Sequence, residues 1–381
     1  MRRRRARFAA AGCLVAAVVA ASGCAAGDDR ASVPATVAPT TSASASATPA
    51  VGAWRIDGDP EVLATGLAVP WSVVPLEGGG ALISQRDDGT LLELTPDGRL
   101  REAGTVPGVV SGGESGLHGL ALLEDGGRWL YAYHGAAEDN RVVRMPLRGR
   151  AGALEVGEAE VIFDGIPRAS THDGGRIAFG PDGKLYVATG DAQNRDAPQD
   201  PESLGGKILR LEPDGAPADG NPWDNAVWSM GHRNVQGLAW TADGTLWASE
   251  FGQNTWDELN RIEAGANYGW PLVEGEAGRD GLTDPVATWT TAEASPSGIA
   301  AVGDTVVLAG LRGERLWLVD TVDGAVIGDP EAALTGAYGR LRDAVIVPDG
   351  TLWVLTNNTD GRGSPRPEDD LLLRLRLVPA R

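Results

Sequence analysis

A histidine and an aspartate stand at the two ends of a predicted β-hairpin in the middle of the chain. Residues 176–179 (Arg-Ile-Ala-Phe) and 184–188 (Lys-Leu-Tyr-Val-Ala) are two strand-like runs, and the intervening Gly-Pro-Asp-Gly of residues 180–183 is typical of a tight turn. His172 precedes the first run and Asp191 follows the second, so the hairpin would bring both to the same end. A carboxylate beside an imidazole orients a general base and stabilises its protonated form. The pair therefore predicts a proton-transfer site, although two polar hairpin ends without a chemical role would look the same in the sequence.

Two more groups of residues could contribute to a site. Residues 231–238 and 250–260 are densely polar between strand-like runs, and buried polar groups are costly unless they line a site or cap strands. Arg312, Arg340 and Arg342 stand at the ends of other runs in an otherwise acidic chain. Guanidinium groups pair bidentately with carboxylates, so these three predict an anion clamp. Pairing with neighbouring surface carboxylates is the alternative interpretation.

The elements that would position these residues recur along the chain. Each unit is an apolar run, a turn rich in Gly and Asp, and a second apolar run. The six instances cover residues 67–84, 119–132, 176–188, 237–248, 298–309 and 343–354. The interval of roughly 45 to 60 residues is that of a propeller blade of four short strands, and no long segment has the apolar period of a helix. The sequence predicts an all-β fold, a six-bladed β-propeller of four-stranded antiparallel blades with its ligand at the mouth of the central channel. A pair of large β-sandwiches is the structural alternative.

Composition and missing motifs argue against several other functions. The formal net charge of −19 disfavours a nucleic-acid partner. Cys13 and Cys24 are the two cysteines, so the folded part has no disulfide, thiol nucleophile or CxxC zinc site. The chain has no Gly-x-Ser-x-Gly elbow, dinucleotide-binding glycine motif, Walker loop or His-Glu-x-x-His motif. Four histidines do not indicate a multi-histidine metal site, and residues 191–196 lack the glycine and the terminal glutamate of a calcium loop.

Residues 1–24 have the pattern of a bacterial lipoprotein signal. A basic start is followed by an apolar run over residues 8–21 and by Ala-Ser-Gly-Cys ending at Cys24. The apolar run is too short to span a membrane, so the protein would be anchored only through a lipid on Cys24, and an ordinary secretory signal is the alternative. Residues 25–52 are rich in Ala, Ser, Thr and Pro and predict a disordered tether. The domain would then occupy residues 53–381, on the extracytoplasmic side of the bacterial cell membrane.

Six short segments together carry a resemblance to a known family. They are residues 66–71 (Gly-Leu-Ala-Val-Pro-Trp), 172–191, 203–210 (Ser-Leu-Gly-Gly-Lys-Ile-Leu-Arg), 231–238 (Gly-His-Arg-Asn-Val-Gln-Gly-Leu), 257–260 (Asp-Glu-Leu-Asn) and 267–271 (Asn-Tyr-Gly-Trp-Pro). In this order, on six predicted blades, they resemble the soluble, propeller-type PQQ-dependent sugar dehydrogenases, the group that contains soluble glucose dehydrogenase and the aldose sugar dehydrogenases. The resemblance extends from about residue 66 to residue 357, nearly the whole of the predicted domain.

The resemblance implies a cofactor and a mechanism. Members of the family hold a non-covalent pyrroloquinoline quinone (PQQ) on a calcium ion (Ca2+) over the propeller mouth and oxidise an aldose at C1 to the lactone. By position, His172 matches the general base that takes the proton from the C1 hydroxyl, and Asp191 matches its carboxylate partner. Arg233 and Asn234 match the pair at the reactive quinone carbonyls, where Arg233 would stabilise negative charge. A small-molecule aldose is the implied substrate, and the electron acceptor is not identified by the sequence.

The same resemblance implies roles in cofactor, metal and substrate binding. The backbone carbonyls of Gly252 and Gln253 match the calcium ligands. The cofactor-binding positions are, besides Arg233 and Asn234, Asp257, Thr291, Arg312, Arg340 and Arg342. Glu114 and Trp289 match positions that contact the sugar.

The chain departs from the family pattern at a few positions. Val235 replaces the proline of a His-Arg-Asn-Pro motif, and Phe251 with Gln253 replaces the usual residues around the glycine of the calcium loop. The loop loses a rigid proline, but ligands that are backbone carbonyls do not depend on the side chain. His118 stands in a turn where an apolar residue is usual and is predicted to pack rather than to bind a ligand. Two alternative functions stay open: a propeller lipoprotein that binds a ligand or serves as a scaffold without catalysis, and a calcium-dependent, lactonase-type hydrolase.

Overall fold

The computed structural model describes residues 52–380, and these form six antiparallel sheets that follow one another around a ring. The predicted six-bladed β-propeller is thus confirmed. Residues 1–24, with the predicted lipid attachment at Cys24, and all of the predicted tether except Gly52 lie outside the described residues. The signal, the lipid anchor and the location therefore stay predictions. Within the described part, no helix has the length and apolar character needed to cross a membrane.

The strands are numbered along the chain and the blades by the order of their innermost strands. β1 (Trp54–Ala64) comes first in the chain and belongs to blade 6. Blade 1 contains β2 (Pro70–Pro75), β3 (Ala81–Gln85), β4 (Thr90–Leu94) and β5 (Leu100–Thr105). Blade 2 contains β6 (Leu117–Glu124), β7 (Arg128–Gly135), β8 (Asn140–Arg148), the short β9 (Glu155–Val156) and β10 (Glu160–Ile166). Blade 3 contains β11 (Ile177–Phe179), β12 (Leu185–Ala188), a short 3-10 helix (Ala197–Gln199), β13 (Lys207–Leu211) and β14 (Val227–Met230). Blade 4 contains β15 (Val235–Trp240), β16 (Leu246–Glu250), β17 (Trp256–Ile262) and β18 (Ala287–Thr290). Blade 5 contains β19 (Pro296–Val302), β20 (Thr305–Gly310), β21 (Arg315–Val322), β22 (Ala325–Val326) and β23 (Glu331–Ala333). Blade 6 contains β24 (Leu341–Ile346), β25 (Leu352–Thr356), β26 (Leu372–Pro379) and β1.

The hydrophobic core lies between the blades. Six clusters of buried side chains occupy the six blade junctions, and each cluster is drawn from two neighbouring blades. The sequences of the second strands explain why these strands are buried between blades. β12 and β25 are largely apolar runs, and both are buried along their whole length. A strand covered on both faces has no need of alternating polar residues. The outer strand β10 carries exposed polar residues instead.

The first strand closes the ring. β1 pairs antiparallel with β26, beginning with Trp54 opposite Pro379. The two ends of the domain therefore share one blade, and Arg55 adds an ion pair to Asp320 of blade 5 at 2.6 Å. Closure leaves the six innermost strands, β2, β6, β11, β15, β19 and β24, in contact with their neighbours around a central channel. The loops at each end of these strands are thereby held around a common mouth.

The predicted β-hairpin is present in blade 3 as β11 and β12. Ile177 lies opposite Val187 in the ladder. The turn is closed by a 2.9 Å hydrogen bond from the N–H of Gly183 to the carbonyl of Gly180, and Gly183 has a φ of +73°, which glycine adopts without a steric penalty. Each strand begins one residue later than the sequence predicts. The hairpin brings the segment before β11 and the segment after β12 to the same end of the propeller.

Candidate active site

A cavity of about 470 Å³ opens at the end of the ring where the hairpin places its two flanking segments. It is lined by the loops that enter the innermost strands and by the loops that join the second and third strands of the blades. Its charged lining consists of the arginines Arg86, Arg233, Arg312, Arg340, Arg342 and Arg362 and the carboxylates Glu114, Asp173 and Asp360. In a chain with a net charge of −19, this local excess of cations indicates a cavity that binds an anion.

His172 and Asp191 meet at the cavity wall. Nδ1 of His172 lies 2.7 Å from Oδ1 of Asp191, and the imidazole is 20% exposed while the carboxylate is buried. The indole N–H of Trp270 donates to Oδ2 of Asp191 at 2.8 Å, and the backbone N–H of Gln193 donates to Oδ1 at 2.8 Å. Burial acts to raise the pKa of Asp191, but the hydrogen bonds from His172 and Trp270 outweigh it and hold that pKa below its usual range. Asp191 is therefore an ionised acceptor that orients the imidazole.

Arg233 determines which nitrogen of His172 carries the proton. Nη2 of Arg233 lies 2.9 Å from Nε2 of His172. A guanidinium group has donors only, so Nε2 must accept this hydrogen bond, and Nδ1 must carry the proton that is donated to Asp191. The side chain that lines the cavity thus has an unprotonated Nε2, which is the form that a general base requires.

The rest of Arg233 is also held by its surroundings. Nη1 donates to the carbonyl of Gly252 at 2.6 Å. The backbone carbonyl of Arg233 accepts the N–H of Asp191 at 2.8 Å, and its own N–H donates to Oε1 of Glu250. A cation held this firmly beside His172 can stabilise negative charge that develops in the cavity.

Asn234 and Glu114 hold the backbone before β11. Oδ1 of Asn234 accepts the N–H of Gly174 at 2.9 Å, and Oε2 of Glu114 accepts the N–H of His172 at 2.9 Å. The other oxygen of Glu114 accepts a hydrogen bond from Arg362 at 2.6 Å. His172 depends on such support because its φ is +62°, a left-handed conformation that is uncommon for residues other than glycine. Asn234 and Glu114 also line the cavity beside His172.

The carbonyl groups predicted to bind calcium, those of Gly252 and Gln253, lie in the loop before β17. Only glycine fits the first position, because a Cβ there would lie 1.7 Å from the carbonyl oxygen of Trp256. Oε1 of Glu274 accepts the N–H groups of the four consecutive residues from Gln253 to Trp256, at 2.7 to 3.2 Å. Residues 52–380 contain no group of three or more His, Cys, Asp or Glu side chains that could hold a metal ion. This loop therefore offers backbone carbonyls, and not side chains, to a cation.

Asp257 is buried and links two loops of the cavity. Its Oδ1 accepts the N–H of Gly252 at 3.0 Å, and its Oδ2 accepts the N–H of Ser295 at 2.6 Å. Burial raises the pKa of Asp257 to about 6, although both N–H groups act to lower it. Asp257 is not part of the cavity lining, so the structure places it behind the loop before β17 and not in the cavity itself.

The three arginines of the predicted anion clamp come together at the cavity. Arg340 pairs with Asp360 at 2.8 Å, and Arg342 donates to Oδ1 of Asn357 at 2.9 Å. Burial lowers the pKa of Arg342 to about 9, so it stays a cation at neutral pH. Within residues 52–380, Arg312 has no hydrogen-bond or salt-bridge partner, and its charge is available to a ligand.

Two predicted ligand contacts are not brought to the cavity. Trp289 lies opposite Asp257 in β18 and is buried in the cluster between blades 4 and 5, with its ring 5.7 Å from that of Trp317. Thr291 begins the loop between β18 and β19 and is not part of the lining. Trp289 is thus packed between blades 4 and 5 in this structure, and its contact with a sugar stays a prediction.

Several cavity residues were not predicted. Trp71 of β2 lines the cavity, and His118 stacks between it and Tyr133 at 5.0 and 5.8 Å. Burial lowers the pKa of His118 to about 3, so the ring is neutral and packs as predicted, although it also reaches the lining. Arg86 and Arg362 come from loops that join second and third strands of their blades. The sequence signal that could have identified them is their position after the second strand of a predicted repeat unit.

A six-bladed propeller with an oriented histidine, a fixed arginine and a wall of arginines at its mouth has the features of a cofactor-binding propeller enzyme. The sequence profile of the Glucose / Sorbosone dehydrogenase family matches residues 67–374. The chain belongs to this family and is an oxidoreductase.

Individual relatives agree with this assignment. The structure of the PQQ-bound form of aldose sugar dehydrogenase from Streptomyces coelicolor is 50% identical, with a TM-score of 0.81, and the match covers 87% of this chain and 100% of that chain. Aldose sugar dehydrogenase YliI of Escherichia coli (strain K12) is 29% identical over 344 residues, which cover 80% of this chain and 92% of that protein. Quinoprotein glucose dehydrogenase B of Acinetobacter calcoaceticus is 31% identical over 255 residues, which cover 57% of this chain and 53% of that protein.

Proposed function

We propose that this protein is a PQQ- and calcium-dependent aldose dehydrogenase, which oxidises the C1 hydroxyl of an aldose to the lactone. The observation that carries the proposal is the unprotonated Nε2 of His172 in a cavity walled by arginines. Oxidation of an alcohol by an anionic cofactor needs a base and an anion-binding wall from the protein. The aldose sugar dehydrogenases and the quinoprotein among the relatives support the same chemistry.

The cavity suits PQQ, which is a tricarboxylate. Arg312, Arg340 and Arg342 would hold its carboxylates, and the exposed guanidinium of Arg312, which has no partner within the described residues, supports the binding of an external anion there. Arg233 and Asn234 would contact its carbonyl groups. When bound, PQQ supplies the acceptor for the hydride of the sugar C1–H bond.

A calcium ion would be held by the carbonyl oxygens of Gly252 and Gln253. The first of these oxygens already accepts a cationic donor, Nη1 of Arg233 at 2.6 Å, and no donor within residues 52–380 reaches the second. Asp257 and Glu274 accept N–H groups of the same loop and add negative charge next to the carbonyls. Oxygen ligands of this kind suit calcium, which would act as a Lewis acid on the cofactor.

His172 would perform the proton transfer. To reach its Nε2, a sugar hydroxyl must displace the hydrogen bond from Arg233. As Nε2 takes the proton, the imidazole becomes cationic, and the ionised Asp191 stabilises that charge through the bond at Nδ1. The carboxylate of Glu114 would accept hydrogen bonds from other sugar hydroxyls, because it lines the cavity close to His172.

Reconstitution tests the proposed function. We expect the purified chain to reduce a dye with a panel of aldoses only when both PQQ and calcium are supplied, and we expect removal of calcium by a chelator to abolish the activity. A folded protein that does not bind PQQ in a spectral titration would contradict the proposal and favour a non-catalytic binding propeller. Calcium-dependent lactone hydrolysis without PQQ would favour a lactonase-type hydrolase.

Replacing Arg312 with glutamine is expected to lower the affinity for PQQ by about tenfold to a hundredfold, because hydrogen bonds to charged groups contribute about 1.5–3 kcal/mol. The melting temperature should change little, since Arg312 has no partner within the described part of the chain. Spectral titration with PQQ measures the effect. Arg315→Gln is the matched control, because Arg315 binds the carbonyl of Gly313 outside the cavity lining. An unchanged PQQ affinity in Arg312→Gln would show that this residue does not bind the cofactor.

A further inference from the structure

A second imidazole–carboxylate pair lies on the other side of Arg233 from His172. Nδ1 of His232 lies 2.8 Å from Oε2 of Glu250, and Nε2 of His232 lies 2.9 Å from the hydroxyl of Ser229. All three side chains are buried. The proposed reaction makes no use of this pair.

Glu250 connects the pair to Arg233. Its Oε1 accepts the backbone N–H of Arg233, and its Oε2 also accepts a hydrogen bond from Nδ2 of Asn260 at 3.3 Å. The register of blade 4 explains this placement, since Glu250 ends β16 opposite Val235, two residues after Arg233. Each carboxylate oxygen of Glu250 therefore accepts at least one hydrogen bond from a buried donor.

The side chain of Arg233 depends on this backbone contact for its direction. Its Nε is buried and has no hydrogen-bond partner within the described residues. The guanidinium is held at its far end, by the carbonyls of Gly252 and Phe251 on one side and Nε2 of His172 on the other, and it lies over the ring of Trp270. Because no hydrogen bond restrains Nε, a shift of the Arg233 backbone would also move the guanidinium.

We propose that Glu250 is a positioning residue, which holds the backbone of Arg233 so that its guanidinium donates to Nε2 of His172. The carboxylate is itself held by His232 and Asn260. The expected effect on turnover rests on the proposed function, whereas the effect on His172 in the ligand-free protein does not.

Replacing Glu250 with leucine tests the proposal. Leucine has no acceptor oxygen, so the N–H of Arg233 loses its partner, whereas a glutamine could keep that contact if His232 took the tautomer that donates to Ser229. We expect Arg233 to move and its hydrogen bond to Nε2 of His172 to be lost.

The primary measurement uses imidazole nitrogen NMR of the ligand-free chain, which has only four histidines. In the wild-type chain, Nε2 of His172 should show the signal of an unprotonated nitrogen that accepts a hydrogen bond. In Glu250→Leu that signal should move toward the position of an imidazole nitrogen without a donor. With PQQ, calcium and aldose, kcat should fall on the order of 100-fold with little change in KM, because Arg233 would be displaced by about 1 Å from the place where it stabilises negative charge.

Glu258→Gln is the matched control in the same buried region. Glu258 lies opposite Glu250 in the β16–β17 ladder and makes no hydrogen bond to Arg233, and Nδ2 of Asn260 lies 3.1 Å from its Oε2. Burial and the nearby Glu250 raise the pKa of Glu258 far above its usual range, so a neutral glutamine resembles the protonated acid. The signals of His172 should stay as in the wild-type chain.

Glu250→Asp keeps the test informative if Glu250→Leu does not fold. Aspartate retains the charge but is one methylene shorter, so it cannot reach both His232 and Arg233, and the signal of Nε2 should move in the same direction. A folded Glu250 variant with unchanged signals of His172 would overturn the proposal. If the signals move as expected but the wild-type chain has no activity with PQQ, the positioning role stands and the proposed function fails.

Discussion

Replacing His172 with glutamine is expected to lower turnover of aldoses by about 10²- to 10⁴-fold, the usual contribution of a general base. Glutamine has no basic nitrogen at the position of Nε2, so the C1 hydroxyl would lose its proton acceptor. PQQ should still bind, because the arginines of the cavity wall are unchanged. Steady-state kcat and a spectral titration with PQQ measure the two effects separately.

The control for this variant is His134→Gln. His134 is buried in β7 and is not part of the cavity lining, so the same substitution there should leave kcat unchanged. A His172→Gln enzyme that retains nearly full turnover would remove His172 from the role of base. Loss of PQQ binding together with turnover would mean that His172 supports the cavity and not only the reaction.

Replacing Asp191 with asparagine is expected to have the second largest effect, a loss of kcat within the same range of about 10²- to 10⁴-fold. Asp191 accepts hydrogen bonds from His172 and Gln193 on one oxygen and from Trp270 on the other. In one orientation of the asparagine amide, its NH2 group would face the indole N–H. In the other it would face Nδ1 of His172, and the imidazole would be driven to the tautomer with a proton on Nε2. Either arrangement disturbs the base. In the second arrangement, two donors, Nε2–H and the guanidinium of Arg233, would also face each other.

Imidazole nitrogen NMR and kcat together check this prediction. We expect the signal of Nε2 in Asp191→Asn to shift toward that of a protonated nitrogen. Asp196→Asn is the control in the same loop, because Asp196 is exposed and its side chain does not cap the 3-10 helix that follows. Wild-type kcat in Asp191→Asn would show that the carboxylate charge is not needed to orient the base.

Much of the fold could be predicted from the sequence because a propeller repeats a local unit. Each blade begins with two strands joined by a turn whose Gly and Asp residues lie next to one another in the chain, as in residues 180–183. The six units were therefore visible one at a time. The junctions between blades were not visible, since each hydrophobic cluster combines side chains from two units.

Some residues of the candidate site could be predicted from the sequence, and others could not. His172 and Asp191 are neighbours through one hairpin, so their 2.7 Å contact follows from local structure. The arginines of the wall were harder to predict, and Arg86 and Arg362 were missed because each stands in a loop whose own sequence does not show that it faces the cavity. The sequence pattern also did not show that Trp289 packs in the core between blades 4 and 5.

The sequence by itself determined the hairpin, the number of blades and the presence of a histidine, an aspartate and clustered arginines. These features depend on turn chemistry and apolar runs, which act over a few residues. The tertiary structure alone decided that Arg233 sets the tautomer of His172, that Glu274 holds the loop proposed to bind calcium and that Arg312 has no hydrogen-bond or salt-bridge partner within residues 52–380. The first of these contacts joins residues 61 positions apart and the second joins residues about 20 apart. Residues this far apart in the chain come into contact only through the register of the strands and the closure of the ring. A linear sequence pattern does not show how close such side chains lie in the folded protein.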